Sequence, residues 1–275
     1  MRGIIAAMLA VLTMGGGALA ADLDEIRERG VLRVAVAPLS PFVIRDKRGD
    51  LSGYEISSTR ALGDHLGVEV EYVVRPFCEL ADAIIEDEAD IIASGYSNTE
   101  RCRRLLGFSL PYHDTEYYLV LSKDAARRAK TMRGVNRDDI AIGYQEGGVS
   151  GMVAQGEFGG ASLEGFSSFG EIVKALKKRK IDGAVMFSPF QEMITGLDLG
   201  RVEYMVPHEF ALTRTIEAFA MDKNAEALRQ ALNAWVIERD MEGEWDALEA
   251  LWFTPENAGV SNPPPYACPA TVPAG

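Results

Sequence analysis

Leu32-Arg33-Val34-Ala35-Val36, Val68-Glu69-Val70-Glu71-Tyr72-Val73-Val74 and Ile91-Ile92-Ala93 are three β-prone runs, and what lies between them decides the fold. The first interval carries Pro38, Pro41 and the turn Lys47-Arg48-Gly49-Asp50. A helix then begins near Tyr54, with Leu62 and Leu66 one turn apart on its apolar face. The second interval places Leu80 and Ile84 on the apolar face of another helix. In the middle strand Val68, Val70 and Tyr72 alternate with Glu69 and Glu71, the period of a half-buried strand. Strand, helix, strand, helix, strand predicts a mostly parallel sheet covered by helices.

A second run of the same kind follows. Tyr118-Leu119-Val120-Leu121 and Ile140 to Tyr144 read as strands, and Ile172, Val173 and Leu176 give a helix its buried face. Lys177-Lys178-Arg179-Lys180 end that helix, where cations suit the negative pole of its dipole, and Ala184-Val185-Met186 is the next strand. The C-terminal third reads as helices. Leu228, Leu232 and Trp235 share one face, Gly243 interrupts, and Trp245, Leu248 and Trp252 share another. Two α/β units with a helical return make two lobes. Ligands of open α/β sheets sit beyond the carboxyl ends of the strands, so the expected site is the cleft between the lobes.

Composition narrows the function. The 275 residues hold 28 Lys plus Arg against 41 Asp plus Glu, a formal net charge of -13. That balance excludes an electropositive nucleic-acid footprint and a polybasic membrane anchor. Three His and three Cys are too few and too scattered for a zinc cluster or a His-centred triad, and no metal or cofactor is expected. His65, His113 and His208 have no partners at ligand spacing, and Glu86-Asp87-Glu88 with Asp90 reads as a solvated helix end.

Residues 1–20 have the logic of export. Arg2 precedes an apolar stretch from Ile4 to Met14, and Ala18-Leu19-Ala20 is the small-x-small pattern of a signal-peptidase site. The run is too short to span a bilayer, so the expectation is a cleaved signal peptide and a periplasmic protein. In that oxidising compartment Cys78 and Cys102, in neighbouring loops, are the candidate disulfide. Free or differently paired thiols are the alternative, and Cys268 sits alone in a proline-rich tail.

Several blocks resemble the polar-amino-acid class of ABC-transporter solute-binding proteins, family 3, from about Leu32 to Phe253. They are Pro41-Phe42 with Gly53-Tyr54-Glu55, Ala89-Asp90-Ile91-Ile92-Ala93-Ser94-Gly95, Thr99-Glu100-Arg101, and Phe108-Ser109-Leu110-Pro111-Tyr112. Ile142-Gly143-Tyr144-Gln145-Glu146-Gly147, Lys180-Ile181-Asp182-Gly183-Ala184-Val185 and Met241-Glu242-Gly243-Glu244-Trp245 continue the series. The resemblance implies an α/β, two-lobed periplasmic-binding-protein fold of type II, each lobe a mostly parallel sheet flanked by helices. Lobe 1 would take residues 21–114 and 212–254, lobe 2 residues 115–211, and the tail 255–275. Two hinge strands would cross near His113–Tyr118 and near Phe210–Ile216.

The resemblance also implies a site. Arg101 matches the family's carboxylate-gripping arginine, and a guanidinium fork suits that bidentate contact. Ser94, Gly95 and Ser97 match pocket-lining positions, and Gln145 and Gly147 match the loop of the second lobe, where Gly148 and Val149 replace the family's usual Thr. Amino-acid binders of the family place an Asp after the first strand and another in lobe 2. Ala37 and Phe187 stand at the nearest places here, and Leu39 stands for the family's aromatic lid. A desolvated ammonium needs a paired anion, so the expected solute is carboxylated but not a standard α-amino acid. Leu39, Phe42, Tyr96, Tyr117 and Phe187 are its apolar and aromatic neighbours, with Tyr54 structural.

Three functions remain open on these residues. The leading one is a monomeric periplasmic receptor, without catalysis, that delivers a small organic solute to an ABC permease. An accessory protein of a periplasmic quinoprotein dehydrogenase of the methanol type is the alternative. A cyclohexadienyl-dehydratase-like enzyme using Arg101 and Glu192 is the third.

Overall fold

Three of the expected strands meet in parallel. The computed structural model describes residues 23–146, 148–166, 169–188, 204–205 and 211–258. After α1 (Leu23–Arg29), β1 (Val31–Val36) lies between β4 (Glu69–Val74) and β5 (Ile91–Ile92), both parallel to it. A short hairpin, β2 (Ile44–Arg45) and β3 (Leu51–Ser52), precedes α2 (Tyr54–Leu66), and α3 (Leu80–Ile85) joins β4 to β5. Central β1 buries Leu32, Val34, Ala35 and Val36, as a strand covered on both faces must.

The second unit repeats the plan after α5 (Lys123–Ala129). β7 (Ala141–Gln145) runs parallel to β8 (Ser162–Phe166) and β9 (Gly183–Phe187), with α6 (Val149–Phe158) and α7 (Phe169–Lys177) as the crossovers. Each unit anchors the start of its first strand to an aspartate ahead of its last. Asp90 accepts the backbone N–H of Arg33 at 2.7 Å and the guanidinium groups of Arg29 and Arg33. Asp182 accepts the backbone N–H of Ala141 at 2.9 Å and Arg128 at 2.6 Å.

Two continuous strands join the units. β6 (Gly107–Ser122) pairs with β11 (Thr213–Met221) along its first part and with β9 along its second. Tyr117 is the switching residue, paired to Thr213 on one side and to Phe187 on the other. The sheet order is thus β4-β1-β5-β11-β6-β9-β7-β8, with β10 (Tyr204–Met205) antiparallel to β6. α8 (Glu226–Met241) and α9 (Glu244–Trp252) return to the first unit and bury Leu228, Leu232, Trp235 and Trp245, the faces read from the sequence. Gly243 between them takes the left-handed conformation (φ 70°). α10 (Pro255–Ala258) follows. Among the described residues no helix is long and apolar enough to cross a membrane. The expected signal peptide, most of the proline-rich tail, Gly147, Glu192, His208 and Phe210 lie outside the described residues.

The cysteine pairing is corrected. Cys78 is disulfide-bonded but Cys102 is a free thiol, so the two do not form a bridge. Cys102 lies in the first turn of α4 (Glu100–Leu105), and its polar atoms serve the helix cap. Its N–H donates to Thr99 Oγ1 at 3.2 Å, and Thr99 Oγ1 donates to its Sγ at 3.1 Å. Thr99 is among the residues favoured at a helix N-cap, and its hydroxyl engages both the N–H and the thiol of Cys102.

Candidate functional site

The loop after β1 is held by α2. The N–H groups of Tyr54 and Glu55, at the helix start, donate to the carbonyls of Pro41 and Phe42 at 3.1 and 2.9 Å. That contact requires glycine at position 53. With φ 120° there, a Cβ would stand 2.5 Å from the Phe42 carbonyl oxygen. Phe42 thereby points inward and meets Phe187 of the second unit, ring centroids 5.9 Å apart. Phe187 also contacts Phe169 at 4.7 Å and Tyr117 at 6.2 Å, and both Phe42 and Phe187 are buried. The apolar wall expected between the lobes is therefore a contact of rings from both. Leu39 is half-buried against the core, bridged to Val43 by two backbone hydrogen bonds of 2.9 Å.

The loop after β5 divides its polar groups. Ser94 is fully buried and clips the first loop, accepting from Ala37 N–H at 3.0 Å and donating to Ala37 C=O at 2.9 Å. Ser150 makes the same pair of bonds to Gln145 in the second unit, both at 3.1 Å. Gly95 donates its N–H to Glu55 Oε1 at 2.7 Å, against the Phe42 ring. Ser94 and Gly95 thus hold the loop, and Ser97 is buried with its hydroxyl 3.2 Å from Glu217 Oε1. Arg101 is exposed on α4.

Glu55 and Glu217 are the buried acids here. Tyr112 donates to Glu55 Oε1 at 2.6 Å, yet Oε2 has no partner, and burial pushes this carboxyl up from the ordinary 4.5 to about 7. Glu217, on β11, is 1% exposed. Its Oε1 accepts from Thr215 at 2.9 Å and Ser97 at 3.2 Å; its Oε2 accepts from Thr115 at 2.8 Å and lies 3.2 Å from His113 Nδ1. Strand register explains the cluster, since Thr215 faces Thr115 and Glu217 faces His113 across the β11–β6 pair. Burial raises the Tyr117 hydroxyl, and the Glu217 charge raises it further. Reading the sequence missed Glu217. Its signal was the alternation Thr213, Thr215, Glu217, which sets three polar groups on one face of a strand.

Beside this cluster lies a cavity of about 280 Å³. Thr99 lines it from the first unit, and Leu212, Thr213 and Thr215 from the crossing strand. From the second unit α6 contributes Val149, Met152, Val153 and Glu157. Arg101 is not among the lining residues. The space has contributions from both units and the strand between them, on the scale of a small solute.

Two α/β lobes, two continuous strands between them and a cavity where lobes and strands meet define a two-lobed binding protein. The sequence model of the bacterial extracellular solute-binding proteins, family 3, matches residues 32–255, and the chain belongs to that family. A probable histidine-binding protein of Neisseria gonorrhoeae is 23% identical over 259 residues, spanning 90% of this chain and 92% of that one. The arginine-binding extracellular protein ArtP of Bacillus subtilis is 24% identical over 238 residues, 85% of this chain and 89% of that one. Among solved structures, an ancestral amino acid-binding protein described as a precursor of cyclohexadienyl dehydratase shares 26% identity. Its TM-score is 0.72, covering 84% of this chain and 99% of that one.

Proposed function

We propose that the protein is a periplasmic receptor that closes its lobes on a small amino-acid-like solute and delivers it to an ABC permease. The observation that carries the reading is the cavity lined at once by Thr99 of one lobe, α6 of the other and Thr215 of the crossing strand. A solute held there touches every part that must move for the lobes to close. The histidine- and arginine-binding relatives support an amino acid as the solute class. A carboxylate without an α-amino group, for which Ala37 and Phe187 argue, is the second reading. Among the lining residues Val149 opens α6, whose first N–H groups carry partial positive charge suited to a carboxylate.

The test uses Gly156, which lines the cavity from within α6 and where an added Cβ meets nothing within 4 Å. Gly156→Leu fills the cavity and replaces a poor helix former, a gain of about 1 kcal/mol in helix preference. Its thermal midpoint is expected to equal or exceed wild type. Affinity for the solute that native mass spectrometry finds on the purified protein is expected to fall about tenfold or more. Unchanged affinity in a folded variant would put the site elsewhere.

A further inference from the structure

Resting on the receptor reading, we infer that Glu217 makes the cleft select a protonated amine, through the hydroxyl groups that line the cavity. A threonine hydroxyl has one proton and two lone pairs. The proton of Thr215 is committed to Glu217 Oε1 and that of Thr99 to Cys102 Sγ. Both side chains line the cavity, so each offers a solute a lone pair, while Thr213, the third lining hydroxyl, is not so committed.

Charge points the same way. Among the described residues Glu217 has no lysine or arginine partner, and Glu157 is the one ionisable side chain lining the cavity. Arg214, between the two threonines of β11, reaches away to Asp114. His113 lies on the far oxygen of Glu217, with its other ring nitrogen 3.8 Å from Glu249. A carboxylate kept from water at such a place acts strongly on the space beside it. A valine at this strand position would avoid the cost of burying the charge, so the acid has a use other than stability. An ammonium is donor-only and positive, the complement of the Thr99 and Thr215 lone pairs beside that charge. The anion sought at Ala37 and Phe187 is supplied by the crossing strand.

Calorimetric titration of the full chain with matched pairs tests this. The pairs are L-histidine with imidazolepropionate, L-leucine with isocaproate and L-phenylalanine with hydrocinnamate. The tightest solute is expected to bear the amine, its deaminated partner binding about tenfold or more weakly. Glu217→Gln should shrink or invert that ratio, because an amide donor at Thr215 frees the threonine proton to face the cavity. Thr215→Val removes the lone pair directly and should shrink the ratio even if Glu217→Gln fails to fold. A purely structural role would weaken both members of a pair alike. Deaminated solutes binding as tightly as their amines, or ratios unmoved in the folded variants, overturn the inference and leave the receptor standing. Failure of every compound in the pairs and of the other common amino acids to bind overturns both.

Discussion

Asp90→Ala is expected to cost about 3 kcal/mol of folding stability, a fall of roughly 6–12 °C in thermal midpoint for a chain this size. The Asp90 side chain has 0% exposure and serves three groups at once: Arg29, Arg33 and the Arg33 backbone N–H. Removing it leaves the N–H buried without an acceptor and two guanidinium groups beside an uncompensated hole. Because Arg29 and Arg33 are 34% and 20% exposed, water recovers part of the loss, which keeps the expectation at the lower end for a buried pair. Asp182→Ala supplies the control. Its carboxylate is 27% exposed and holds one arginine, so the loss should be visibly smaller. Chemical denaturation checks both, and equal losses would refute the burial argument.

Glu55 sets a pH dependence of stability. The folded state keeps the proton of Glu55 up to about 7, whereas an unburied glutamate releases it near 4.5. Between those values the folded state binds more protons than the unfolded one, so stability falls as pH rises. The contribution is complete below 4.5 and is lost through pH 7, about 3 kcal/mol in all. Glu55→Gln keeps an acceptor for Tyr112 and Gly95 and stays neutral at every pH. Its stability relative to wild type should therefore climb across this window and level off above it, with the variant the more stable protein at pH 8. Parallel denaturation curves for the two proteins at all pH values would refute the assignment.

Much of the architecture was legible because it rests on local periodicity. The alternation in Val68–Val74, the apolar runs at Leu32 and Ile91, and the faces of Leu228, Leu232 and Trp235 needed only neighbouring residues. α6 and β8 escaped. Gly151, Gly156 and Gly165 interrupt their patterns, and Gly151 is small for a tertiary reason, since a Cβ there would come within 3.1 Å of the Tyr144 ring. The site was legible only as a location. A linear motif shows that Ser94 has a hydroxyl but not that Ala37 uses it on both sides. The neighbours of Glu217 are 102 and 104 residues away on β6, brought in by strand register alone. Arg101 shows another limit of a linear motif, which supplies a suitable group in a suitable stretch but not its surroundings: it stands exposed in the first turn of α4 and is not among the residues lining the cavity.

Tyr117, shared by strands of both lobes, gives the binding cycle an unusual economy. The ribbon that offers Thr215 to the solute is the same one about which the halves swing. Capture in the proposed receptor is therefore sensed at the axle itself, with no relay from the jaws, and a residue chosen to recognise cargo also tunes how readily the trap shuts.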